Sequence, residues 1–316
     1  MSKRRAGSYC MLEVISARDL LAKKIASVPM IIDDIIPAGL TVFAGKPKIG
    51  KSWFALNAAL AVASGERFLD RQVEEGGDVL YLALEDTQAR LQSRVRTILG
   101  EQGDAPDTLA LATGCPALDK GGDRAIRSWI RKADRPRLVV VDVLQKIKGE
   151  DKKARAYEND YMVLEPLKDM ADEFAIAVVA ITHTRKLDAD HDPFDAVSAT
   201  TGLTGAADHV VILDRGPDGL VLYGRGRDVN EFNLALAFDG KTGRFEDVGD
   251  PEDRARSDSR KRILDAMVAA RKPIGPGEIA AASDVSAEVV RQHLPRMMQA
   301  GEVERLGRGQ YQPVTA

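Results

Sequence analysis

The sequence predicts an α/β fold with a mostly parallel central sheet, followed by a small and mainly helical second domain. Three observations carry this. Between Leu40 and Phe238 short apolar runs alternate with longer segments of helical periodicity, the pattern of a sheet wrapped by helices. The last three runs of that stretch follow one another without an intervening helical segment, so they are expected to form an antiparallel extension at one edge. From Ser259 onward the pattern changes to helix, helix, helix and a short turn.

The runs are Leu40 to Ala44, Val79 to Leu84, Leu109 to Ala112, Leu138 to Val141, Ile176 to Ile181, His209 to Leu213, Leu220 to Tyr223 and Leu234 to Phe238. Most are continuously apolar, as strands buried on both faces must be. Asp247 to Ser259, with Gly249, Pro251 and seven charged residues, reads as a linker. The expected division is therefore a core domain with an N-terminal arm over 1–246, a linker over 247–258, and a small domain over 259–316.

At 316 residues, a core plus a smaller domain is the natural expectation. Hydrophobic residues at 44% and charged residues at 29% are ordinary for a globular chain able to bury a sizeable core. The net charge of −3 conceals an asymmetry, because eleven basic residues face seven acidic ones from Arg254 onward. That surplus of four leaves −7 on the rest, so the tail is the better surface for a polyanion. Cys10 and Cys115 have neither metal-ligand spacing nor the density of a disulfide scaffold, and read as plain thiols. Met1 to Cys10 lacks the apolar run of a signal peptide, and no stretch approaches the ~20 apolar residues of a membrane span. A cytoplasmic location is expected.

Gly45-Lys46-Pro47-Lys48-Ile49-Gly50-Lys51-Ser52 fits G-x-x-x-x-G-K-[ST] at every fixed position. Its flanks fit too, with an apolar strand before it and an apolar helix from Trp53 to Ala63 after it. Backbone amides of such a loop, with the helix N-terminus, surround a phosphate. Lys51 is expected to reach the β- and γ-phosphates of ATP, and Ser52 to hold Mg²⁺. The phosphate-binding set is Gly45, Lys46, Pro47, Lys48, Ile49, Gly50, Lys51, Ser52 and Trp53. The motif does not require Lys46 or Lys48, and either can equally be a solvated lysine.

Leu138-Val139-Val140-Val141-Asp142 is a buried strand ending in an acid, which places a carboxylate on the magnesium side of the loop, acting through water. The next residue is Val143, where many ATPases carry a water-activating glutamate, so the base has to come from another strand. Val79 to Leu84 ends in Glu85-Asp86, at the carboxyl end of the sheet where ligands of open α/β folds sit. Glu85 is the candidate for polarising the attacking water, while Asp86 suits an N-cap for the helix from Thr87 to Leu99. A third strand ends in Thr182-His183-Thr184-Arg185-Lys186, and a polar group at such a tip can sense the γ-phosphate.

The set GKPKIGKS, LYLALEDT, LVVVDVLQ, VVAITHTRK and TTGLTGAADHVVIL resembles the RecA-like ATPases of the plasmid and phage RepA helicase group, related to hexameric replicative helicases. The resemblance covers roughly Ser16 to Phe245. It implies a RecA-like P-loop NTPase core, Glu85 as catalytic base, and His183 lying between the ATP site and DNA. It also implies a basic pair late in the core that reaches a neighbouring subunit's ATP, matched by Arg225 and Arg227 in Leu220-Val221-Leu222-Tyr223-Gly224-Arg225-Gly226-Arg227-Asp228. A guanidinium suits that task through its planar, permanently charged fork. Arg227 is taken as the finger, and two solvated arginines in a turn remain the other reading.

Gln145 to Tyr161 carries Lys146, Lys148, Lys152, Lys153 and Arg155 with Tyr157 and Tyr161, and Lys186 to Thr201 is similarly unpatterned. Both are expected to be loops at a ring channel that binds single-stranded DNA, although Glu150, Asp151, Glu158 and Asp160 weaken that reading. The tail resembles a winged helix-turn-helix whose third helix, with Arg291, Gln292, His293 and Arg296, enters a major groove or serves a protein contact. The leading functional expectation is an ATP-driven, ring-forming and homohexameric DNA helicase or translocase. A nucleotide-dependent DNA-binding regulator that unwinds nothing is the alternative. A small-molecule kinase is disfavoured because no lid or acceptor-binding segment is evident.

Overall fold

The computed structural model describes residues 14–25, 27–101, 103–149, 156–184, 192–195, 205–216, 219–307 and 309–314; the side chains of 156–162 and 252–257 fall outside that description. A short helix, α1 (Ala17–Ala22), is capped by Ser16, whose hydroxyl accepts from the Asp19 amide, and it buries no side chain. A hairpin of β1 (Met30–Ile32) and β2 (Ile36–Pro37) follows. The core then alternates as β3 (Gly39–Gly45), α2 (Lys51–Ser64), β4 (Asp78–Ala83), α3 (Gln88–Leu99), β5 (Leu109–Ala112), α4 (Gly122–Ile130), β6 (Pro136–Asp142), α5 (Ala156–Phe174) and β7 (Ala177–Ile181). Four more strands complete the sheet: β8 (His209–Gly216), β9 (Gly219–Gly226), β10 (Phe232–Asp239) and β11 (Arg244–Asp247).

These strands form one nine-stranded sheet in the order β11-β10-β9-β8-β3-β7-β6-β4-β5. Every pairing from β8 to β5 is parallel, and β9, β10 and β11 add antiparallel. The α/β expectation with a mostly parallel sheet holds. Alternation along each strand divides the core. Leu138 and Val140 of β6 join α2 and α3 on one face, while Val139 and Val141 join α4 and α5 on the other. Helix α2 is buried almost all round, which explains why its sequence shows no polar stripe.

Several boundaries differ from expectation. His209 to Leu213 was expected in the antiparallel edge, yet β8 lies parallel beside β3 and the antiparallel extension starts one strand later. The 27 residues between β7 and β8 are long enough for a parallel crossover even without a helical hydrophobic pattern. Strand β11 and the β1–β2 hairpin were missed, because their apolar runs are very short; Ile31, Ile32, Ile35 and Ile36 are nonetheless buried. Tyr157 and Tyr161 stand in the first turns of α5 and not in a loop. Of that expected loop, 150–155 lie outside the described residues, as do 186–191 and 196–201 of the second.

The tail consists of α6 (Pro251–Ala270), α7 (Pro276–Ser283), α8 (Ala287–Gln299) and a hairpin of β12 (Val303–Gly307) and β13 (Gln310–Pro313). Ile263, Met267, Ile279, Val290, Leu294 and Met297 form its separate core. Helix α6 starts at Pro251, eight residues before the expected Ser259. Proline suits the first helical position. Among the described residues no helix is long and apolar enough to cross a membrane.

His209, at the start of β8, is 1% exposed, and neither ring nitrogen has a hydrogen-bond partner among the described residues. Burial pushes its pKa down to about 4 from 6.5. The unfolded chain takes up this proton below pH 6.5 while the native chain resists until about pH 4, so stability falls as pH drops through that window. The loss is expected to reach about 3 kcal/mol by pH 4. His209→Leu should flatten this slope. Urea midpoints of both proteins at pH 7 and pH 5 check it, and parallel pH dependences would show that His209 is not the sensitive group.

Candidate active site

The carboxyl ends of four adjacent parallel strands build the site. In the order β3, β7, β6, β4 they end at Gly45, Ile181, Asp142 and Ala83, so the residues that follow emerge side by side. Gly45 leaves β3 against β8, where a Cβ would lie 2.4 Å from the Leu213 carbonyl oxygen. Gly50 enters α2 at φ 113°, a left-handed value that favours glycine. These two positions explain why the loop needs its glycines. The backbone can then curl over the N-terminus of α2.

Lys51, the first residue of α2, is 5% exposed and turns back into the loop. Its ammonium donates to the Gly45 carbonyl at 2.7 Å and the Lys46 carbonyl at 2.9 Å, and meets His183 Nδ1 at 3.1 Å. Three donors are thus used on three partners. An ammonium can only donate, so Nδ1 accepts and the ring is neutral with its proton on Nε2. Burial lowers the Lys51 pKa to about 8, opposed by Asp142 and Glu85. Desolvation and the Lys51 charge together hold His183 below its ordinary value. The structure therefore brings His183 to the phosphate loop of its own chain.

Asp142 is 4% exposed at the end of β6. Its carboxylate accepts the Tyr81 hydroxyl at 2.8 Å and the Ser52 side chain. Burial raises its pKa, and these two hydroxyls oppose the rise. Ser52 and Asp142 supply hard oxygen donors, which fit Mg²⁺ bound chiefly by phosphate and water. Among the described residues no group of three or more His, Cys, Asp or Glu could hold a metal by itself. Val143 is buried in the core at 3% exposure.

Glu85 and Asp86 have opposite surroundings. Glu85 is half exposed, with Lys146 Nζ 4.0 Å from its carboxylate. Asp86 has a side chain only 7% exposed and pairs with both Arg90 at 3.1 Å and Arg94. Arg94 also lies 5.5 Å over the Trp53 ring, which packs against Phe238. The N-cap of α3 is Thr87, whose hydroxyl accepts from the Arg90 amide, and not Asp86 as expected. Asp86 instead binds side chains one and two turns into the helix. Trp53 correspondingly directs its ring toward α3 and β10. Lys46 pairs with Asp214 at 3.2 Å, and Lys48 takes a left-handed φ of 64° in the loop.

The basic pair lies elsewhere. Strand β9 runs antiparallel, so Arg225 sits opposite Val210, while the phosphate loop leaves β3 beside Leu213. Arg225 is bound to Asp192 at 2.9 Å and Glu231 at 2.8 Å, and its guanidinium lies 4.2 Å from the Phe194 ring centroid. Arg227 is open, its side chain 68% exposed and 3.8 Å from Asp208. Asp208 is already held by both Lys168 Nζ contacts at 2.8 Å and by the Leu40 amide at 3.0 Å. In the tail, α8 exposes Arg291, Gln292 and Arg296 but buries His293, which corrects the expected DNA-facing set. Tyr81 was not found from sequence; a tyrosine inside an otherwise apolar strand was its one signal.

Removing the charge of Asp86 leaves two guanidinia without their buried partner, and Asp86→Asn is expected to cost about 3 kcal/mol. Glu85→Gln, on an exposed side chain, should stay within about 0.5 kcal/mol. Urea denaturation of both variants checks the contrast, and equal stabilities would refute it.

The AAA domain family profile matches residues 8–189. The replicative DNA helicase DnaB of Rickettsia prowazekii (strain Madrid E) is 26% identical over 170 residues, 45% of this chain and 34% of that protein. The chain thus spans about a third of that relative's length. Among solved structures, an isolated ATPase domain superposes with a TM-score of 0.57 at 14% identity, over 73% of this chain and 95% of that one. A DnaB-like replicative helicase, solved in a study of its interactions with primase, superposes with a TM-score of 0.54 at 15% identity, over 72% and 63%. At these identities the superpositions speak for the fold.

Proposed function

The chain belongs to the AAA domain family, and from that premise we propose that it is an ATP-hydrolysing, ring-forming DNA helicase or translocase of the RepA type. Its setting would be replication of a plasmid, phage or similar element. The observation that carries this is the convergence of Lys51, Ser52, Asp142, His183 and Glu85 at one end of the sheet.

In this reading the loop amides and Lys51 bind the phosphate chain of ATP, with Lys51 exchanging part of its carbonyl contacts for phosphate oxygens. Ser52 and, through water, Asp142 would hold Mg²⁺, which would supply positive charge to offset that of the phosphate chain. Glu85 takes a proton from the water whose oxygen bonds to the γ-phosphorus as the bond to the bridging oxygen breaks, giving ADP and phosphate. Its exposure leaves room for that water. His183, in contact with Lys51, relays phosphate occupancy toward bound DNA. The tail serves as a winged helix-turn-helix, with Arg291, Gln292 and Arg296 toward duplex DNA.

Lys51→Ala is expected to abolish turnover in a folded protein. Glu85→Gln should keep ATP binding and lose about 10²-fold or more in hydrolysis. Nucleotide-binding fluorescence and phosphate release check both, and unchanged turnover in Lys51→Ala would end the ATPase reading. Strand displacement with ATP then separates helicase from regulator: ADP production without displacement would favour a DNA-binding regulator that does not unwind.

Arg227 has no phosphate loop at its own end of the sheet, and its exposed guanidinium suits a site on a neighbouring chain. Arg225, already paired, is the weaker choice. Arg227→Ala is expected to keep nucleotide binding and lose at least about 10²-fold in turnover. Mixing Arg227→Ala with Lys51→Ala subunits should restore part of the activity, since some interfaces join an intact loop to an intact finger. Full activity at every dilution of the wild-type protein would rule out action in trans.

A further inference from the structure

Strand β4 is apolar from Val79 to Ala83 except for one hydroxyl. Tyr81 is 1% exposed, and a buried phenol needs a partner. Its oxygen lies 2.8 Å from Asp142 Oδ2 and 3.2 Å from the Ser52 carbonyl oxygen. It therefore touches both residues assigned above to the metal side of the site. The ring itself is core, packed under α2 in the same cluster as Val79, Leu138 and Val140. A phenylalanine would supply all of that packing. The hydroxyl alone needs another explanation.

Asp142 makes no ion pair among the described residues, so its orientation depends on hydroxyl donors. Ser52 provides one from α2, and Tyr81 provides one from β4. Ser52 Oγ cannot serve the carboxylate undisturbed if it also ligates a cation, because ligation uses a lone pair and redirects the proton. Tyr81 Oη has no such second duty. We infer that Tyr81 is a positioning residue, whose hydroxyl keeps the Asp142 carboxylate aimed at the Ser52 side of the phosphate loop so that the divalent cation of the nucleotide is bound. This rests on the ATPase reading above. It adds to it a residue that lies within LYLALEDT but has no role in that reading.

The test is Tyr81→Phe, which keeps the ring. Binding of a fluorescent ATP analogue is titrated with Mg²⁺ for wild type and variant. The variant should need about tenfold more Mg²⁺ for half-maximal binding, the size expected for losing one hydrogen bond to a charged group. Binding in EDTA should be unchanged, because the loop and Lys51 are intact. In an Asp142→Asn background, Tyr81→Phe should add no further change in Mg²⁺ requirement. An unchanged requirement in the single variant, or an equal loss in both backgrounds, would overturn the inference and leave Tyr81 a packing residue. Failure of the underlying reading looks different: wild type would then bind no nucleotide at any Mg²⁺ concentration, which overturns both.

Discussion

Lys51 folds back to the carbonyl oxygens of Gly45 and Lys46, at 2.7 and 2.9 Å, and this closure depends on where β3 stops. β3 is flanked by parallel strands on both sides, with β8 approaching so closely that only glycine fits at its last position. The chain must leave the sheet there and turn directly into α2. A buried ammonium is costly to desolvate, and its three partners are what make it tolerable in this structure. Two partners belong to the loop, and the third, His183, lies two residues beyond the end of the neighbouring strand β7. The loop and the tip of β7 are therefore mechanically one unit.

Environment divides the roles of the acids around that unit. Asp142 is nearly sealed and answered by hydroxyls, Asp86 is nearly sealed and answered by guanidinia, and Glu85 is open. Charges taken out of water must be compensated locally, so the first two are committed to fixed geometry. The third retains freedom to meet a water molecule. Arg94 joins the arrangement to Trp53 of α2, which ties α3 to the helix that carries Ser52.

The antiparallel extension has a consequence of direction. β8 runs parallel to β3, but β9 returns, and its last residues arrive at the amino end of the parallel strands. Arg227 is thereby separated from its own phosphate loop by the length of the sheet. Asp208 holds the same corner together by binding Lys168 and the Leu40 amide, and it leaves the guanidinium of Arg227 loosely attached at 3.8 Å.

Some of this was legible in the residues. The glycine and lysine spacing of the loop, the apolar run ending in Asp142, and the acid after Val79 to Leu84 are local patterns, because backbone geometry at a strand end is set by neighbouring residues. The α/β class followed from alternation of the same kind. Other features required the folded chain. That β8 is parallel and that Tyr81 reaches Asp142, 61 residues away, depend on which strands become neighbours. That Thr87 and not Asp86 caps α3, and that His293 is buried, depend on which side of a helix finds the core or a better partner. Periodicity tells that a side chain is turned inward, but its partner is chosen by sheet order. That order is a property of the whole packed chain, since each strand's place is decided by the burial and hydrogen bonding of all the others.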